Sequence, residues 1–123
     1  MKTSVVIASI LVLGTDSLAH AAELDGNWAR GDGKARVKIA KCGTDICATN
    51  TWIKPGTKDE KAGDVLVMKI QKVSDGSYSG SAFDPQRDRN YKIVLDVGEN
   101  RMTTKGCVLG GLLCKDVDWT RID

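Results

Sequence analysis

The chain has 123 residues and a formal charge of +2 at neutral pH, so it suits one small domain and is too mildly basic to require nucleic acid as a partner. Its lysines and aspartates are scattered singly, the pattern of a solvated surface rather than a dedicated basic face. A single histidine, His20, leaves little room for the usual neutral-pH base or the commonest metal ligand.

Residues 1–21 read as a secretory signal peptide. Met1-Lys2-Thr3 supplies a positive start, Val5 to Leu13 an apolar stretch too short to span a bilayer, and Ala19-His20-Ala21 a small-x-small cleavage pattern. No cysteine directly follows the apolar core, which argues against an acylated N-terminus. Cleavage removes His20 and leaves about 102 residues, 22–123, as one domain without Ser-His, Cys-His or histidine-zinc chemistry. The expected location is the periplasm or the extracellular medium, with no membrane insertion.

Beyond residue 22, turn residues recur every eight to twelve positions or so, which is the signature of an all-β sandwich or barrel. Gly31-Asp32-Gly33, Gly43-Thr44-Asp45, Asp75-Gly76, Gly98-Glu99-Asn100 and Gly110-Gly111 all carry turn chemistry. Between them, Ala35, Val37 and Ile39 alternate with Arg36 and Lys38. Leu66, Met68 and Ile70 alternate with Val67 and Lys69, and Tyr91, Ile93, Leu95 and Val97 with Lys92 and Asp96. No window carries a helical stripe. Two polar, breaker-rich loops, Lys54–Gly63 and Asp84–Asn90, interrupt the meander. Seven to nine short antiparallel strands hide their edges best by closing, so a small up-and-down barrel is expected.

The four cysteines, Cys42, Cys47, Cys107 and Cys114, belong to an exported chain and are expected as disulfides. Three pairings are open to them. Local pairing, Cys42 with Cys47 and Cys107 with Cys114, is favoured because each pair brackets a tight turn. Each bridge would contribute roughly 2–2.5 kcal/mol in the chain-entropy model. A four-thiolate zinc site fits the spacing and the compartment less well, and neither pair is a C-x-x-C redox motif. Asp84, Asp88 and Asn90 lack calcium-loop spacing and read as a hydrogen-bonded turn. No metal, cofactor or catalytic residue is expected, and nothing sets two carboxylates at a hydrolase separation.

The strongest constellation joins the ends. Gly26-Asn27-Trp28 opens the first expected strand and Trp119-Thr120-Arg121 closes the last. In an up-and-down barrel these strands are neighbours, so Arg121 can stack on Trp28 and seal one end. Gly-x-Trp with a C-terminal arginine resembles the structural signature of the calycins, the superfamily that includes lipocalins. With Cys42-Gly43-x-x-x-Cys47, Gly80-x-x-x-Asp84-Pro85, Tyr91 and Gly106-Cys107 in order, Gly26 to Arg121 resembles the small exported bacterial domain-of-unknown-function family 2147. Ala48 and Arg89-Asn90 depart from that family's common residues. The resemblance implies a lipocalin-like barrel and carries no activity with it.

Trp52, Met68, Tyr78, Phe83 and Tyr91 are the larger side chains available to line the interior. Large inward residues would fill it, whereas Ala48, Gly80 and Ala82 would leave room, so a packed core and a ligand cavity both stay open. Tyr78 and Tyr91 are the expected polar handles. The function expected is non-enzymatic binding of a small apolar or amphipathic ligand. The alternative is a protein-binding module, such as a secreted protease or lysozyme inhibitor, acting through the two long loops.

Overall fold

A computed structural model describes residues 24–123. The expected signal peptide, with His20, lies outside the described residues. Eight strands follow in order: β1 (Gly26–Arg30), β2 (Ala35–Cys42), β3 (Asp45–Ile53), β4 (Val65–Ser74), β5 (Ser77–Asp84), β6 (Arg89–Val97), β7 (Arg101–Val108) and β8 (Leu113–Arg121). Each pairs antiparallel with the next, and β8 returns to β1, so the sheet closes into an up-and-down, lipocalin-like barrel. Closure satisfies both edges of a sheet that would otherwise expose a row of unpaired backbone groups.

The alternation read from the sequence sets which face is inside. Ala35, Val37 and Ile39 are buried between exposed Arg36 and Lys38, and Ile93, Leu95 and Val97 are buried between exposed Val94 and Asp96. The turns after β1, β3, β5 and β7 gather at one end, here called the mouth. The turns after β2, β4 and β6 lie at the other end, the base, together with both ends of the described chain. Leu24, Trp28 and Val97 pack at the base, where the Trp28 indole is fully buried and donates its Nε1 proton to the Leu24 carbonyl oxygen at 3.1 Å.

The cysteines pair locally, Cys42 with Cys47 and Cys107 with Cys114. The first bridge closes the β2–β3 turn at the base and the second closes the β7–β8 turn at the mouth, so the barrel carries one staple at each end. These bridges point to an oxidising, non-cytoplasmic location. No helix among the described residues is long and apolar enough to cross a membrane.

Two residues expected inside the barrel lie outside it. Trp52 comes just after a β-bulge: Val37 pairs with Asn50 but Arg36 pairs with Trp52, so Thr51 is the extra residue. An inserted residue reverses the parity of every later residue in its strand. Strict alternation from Ala48 would have put Trp52 inward; the bulge turns it outward, where Arg36 stacks 5.1 Å over its ring. Phe83 faces outward because Ala82 and Asp84, its two neighbours, are the buried ones. Gly80 also serves a different purpose from leaving room, because a Cβ there would collide with the Lys69 carbonyl oxygen of the paired strand.

Candidate functional site

The interior is not filled by its own side chains. A cavity of about 1030 Å³ runs from the mouth down towards Leu95 and Met102. Its walls are mainly apolar, with Val37, Leu66, Met68 and Ile93 among the residues that line it. The volume exists because small residues occupy inward positions on alternate strands: Ala48 on β3, Ala82 on β5 and Gly106 on β7. A Cβ added at Gly106 would meet nothing within 4 Å, so that position opens directly onto free space.

Below the mouth, few polar groups interrupt the wall. Asn50 and Thr104 line it, and Thr104 Oγ1 accepts a hydrogen bond from Trp119 Nε1 at 3.0 Å. Tyr91, half-buried opposite Ala82, lines the same cavity, and its hydroxyl has no hydrogen-bond partner among the described residues.

Charge concentrates at the mouth. Arg30 grips Glu60 through two parallel hydrogen bonds of 2.7 and 3.1 Å, tying the β3–β4 loop back to β1. Asp84, only 7% exposed, accepts from the Gln86 amide at 3.1 Å, the Gln86 side chain at 2.7 Å and Arg87 Nη1 at 2.8 Å. It thus shapes the hydrogen-bonded β5–β6 turn expected around Asp84. Arg87 reaches on to Asp64 Oδ2 at 3.2 Å and to the Asp59 carbonyl oxygen, fastening the long loop from a second side. Burial pushes the Asp84 carboxyl up, but the hydrogen bonds from Arg87 and Gln86 outweigh it and hold the group below its ordinary value. Arg30 and Arg87 are held above theirs, chiefly by the bonds to Glu60 and Asp84.

These pairs consume three of the four carboxylates that line the cavity among the described residues, leaving Asp59. Four cations that also line the cavity, Lys58, Lys61, Arg89 and Lys115, form no ion pair among the described residues. Arg89 begins β6, and Lys115 sits on β8 opposite Gly106, so both belong to the inward-facing rows of the wall. The rim of an apolar cavity is therefore left with a surplus of positive charge.

Of the five side chains expected inside, Met68 and Tyr91 line the cavity and Tyr78 packs against the core. Trp52 and Phe83 do not contribute to it. Gly26, Trp28 and Arg121 meet at the base, and Trp119 lines the cavity and packs against the core. Sequence reasoning does not single out Asn50, Arg89, Thr104 and Lys115 as interior groups. The parity of Lys115 with Val117 and Trp119 is the one signal that could have found Lys115.

A family model described as an uncharacterized protein conserved in bacteria (DUF2147) matches residues 26–121, from the first strand to the last. No curated protein and no solved structure matches the chain. With the barrel complete from Gly26 to Arg121 and both ends of the match meeting at one seam, the chain belongs to the DUF2147 family.

Proposed function

We propose that the protein is an exported, non-enzymatic carrier of a small amphipathic molecule with an anionic end. The apolar part occupies the barrel, and the anionic end meets Arg89 and Lys115 at the rim. The observation that carries this reading is the apolar cavity of about 1030 Å³ bordered by cations without carboxylate partners. Its size matches the upper end of small-molecule sites, roughly 300–1,000 Å³. Binding would proceed by desolvation, at about 0.8 kcal/mol for each methylene group moved from water to the wall. The Tyr91 hydroxyl and the rim cations would fix the orientation. Export is supported by the N-terminal apolar segment of the sequence and by the two disulfides.

An enzyme inhibitor acting through the loops has less support. Glu60 and Asp64 of the long loop, and Arg87 of the β5–β6 turn, are engaged within the barrel rather than offered outwards.

Native mass spectrometry of the purified protein, incubated with dodecanoate or with dodecanol in the absence of detergent, tests the proposal. One equivalent of dodecanoate should be retained, more tightly than dodecanol. The combined Arg89→Gln and Lys115→Gln variant should lose that preference. A bare polypeptide mass with both probes overturns the carrier reading.

A further inference from the structure

The β7–β8 hairpin ends in a feature that the cavity does not use. Leu109, Leu112 and Leu113 are 67%, 84% and 59% exposed and sit together at the tip. Leucines exposed singly are ordinary, but a cluster at the end of a protruding hairpin is not. The backbone is bent to present them: Leu109 has φ +55°, a left-handed conformation that a branched side chain rarely adopts, and Gly110 and Gly111 follow at +67° and +97°. The Leu112 amide bonds back to the Leu109 carbonyl at 3.2 Å, so the tip satisfies part of its own backbone. The Cys107–Cys114 bridge pins the two strands just below it.

We infer that this tip docks the barrel, mouth first, onto a lipid surface bearing anionic headgroups. Charge supports that occupant. Lys105 and Lys115 flank the tip on β7 and β8, Lys92 lies opposite Cys107 on β6, and Arg89 begins the same strand, against Asp88 and Asp116. None of the four cations is held in an ion pair among the described residues. Such a basic surround is drawn to an anionic leaflet and is released by salt. The tip's chemistry also favours lipid over a protein. Its exposed side chains are aliphatic and without hydrogen-bonding groups, whereas protein hot spots are rich in Trp, Tyr and Arg and poor in Leu. Three leucines on a stapled hairpin reach the headgroup–acyl boundary without spanning it, and little conformational freedom is lost on docking. The mouth lies at the same end, so docking brings the cavity entrance to the lipid.

Flotation of the purified protein with vesicles of phosphatidylcholine, alone or mixed with phosphatidylglycerol, tests the inference. The protein should float with the mixed vesicles, about tenfold less with phosphatidylcholine alone, and be released at high salt. The combined L109S, L112S and L113S variant should bind roughly tenfold or more weakly with an unchanged near-ultraviolet dichroism spectrum. In L112W, tryptophan emission should shift to the blue on adding mixed vesicles. Failure of the wild-type protein to float, equal binding by the serine variant, or serine-sensitive self-association in place of vesicle binding would each overturn it. Gly106→Phe, which fills the cavity from β7, separates this inference from the carrier reading. It should abolish dodecanoate retention and leave flotation intact, and loss of flotation in that variant with its fold preserved counts against docking by the tip.

Discussion

The guanidinium of Arg121 lies 4.3 Å from the centre of the Trp28 ring, and the same two residues are paired across the β1–β8 seam that closes the barrel. Arg121 also donates Nε to the Glu99 carbonyl oxygen at 2.8 Å and Nη1 to that of Asp25 at 3.0 Å. One side chain thus covers the buried indole, holds the β6–β7 turn and anchors the start of the first strand. Replacing Arg121 with Ala should cost about 2–3 kcal/mol, from a lost cation–π contact and two charge-assisted hydrogen bonds. Urea denaturation reads this directly, and a loss below about 0.5 kcal/mol would show that the seam is held elsewhere.

Gly26 is part of the same arrangement. Its φ is +141°, and a Cβ there would lie 2.6 Å from Arg121 Nη1. Gly26→Ala should destabilise by roughly 1–3 kcal/mol. In an Arg121→Ala background the cost should fall, because the clash is gone and only the backbone strain remains. Strict additivity of the two substitutions would contradict this account.

Filling the cavity should separate binding from stability. Gly106 faces open space, so Gly106→Phe should change the midpoint of thermal unfolding by no more than a few degrees. The same variant should no longer retain dodecanoate. Retention at wild-type level would place the ligand outside the barrel.

Acid should act through Asp84. Its carboxyl is held below its ordinary value of 3.8, so the stability it contributes is present above about pH 4 and is lost as pH falls through the folded value. Asp84→Asn should cost about 1–3 kcal/mol at neutral pH and should flatten the decline of stability below about pH 4. A variant whose acid profile is parallel to that of the wild type would assign the decline to other carboxylates.

The two disulfides close short loops, and each should be worth about 2–2.5 kcal/mol. Replacing Cys42 and Cys47 with Ala should weaken the base without altering vesicle flotation. Replacing Cys107 and Cys114 should also loosen the leucine tip and lower flotation. Comparing urea midpoints and flotation for the two variants checks both points.

Much of the architecture is legible in the sequence because it depends on neighbouring residues. Turn residues at short intervals mark most strand boundaries, and period-two alternation in β2 and β6 identifies the inward faces correctly. Cysteines five and seven positions apart bracket single hairpins, so the favoured local pairing coincides with the shortest loops. The Trp28–Arg121 stack is reachable because a closed meander makes its first and last strands neighbours. Trp52 defeats the same reasoning because one extra residue at Thr51 reverses parity, and no turn signal announces a bulge. Phe83 resembles an interior residue by size, although its own strand puts Ala82 and Asp84 inside.

The amino-acid sequence by itself determined the all-β meander and favoured its two hairpin staples and the seam, since each depends on residues close in the chain or on the order of the strands; the structure fixed the cysteine pairing. Only the tertiary structure decided that the barrel is hollow and that its rim is cationic. The cavity depends on Ala48, Ala82 and Gly106 meeting from three different strands. The rim depends on which charges find partners: Arg30 reaches Glu60 across 30 positions and Arg87 reaches Asp64 across 23, leaving Arg89 and Lys115 outside any ion pair among the described residues. Pairing over such separations is set by barrel closure and register, which no local pattern encodes.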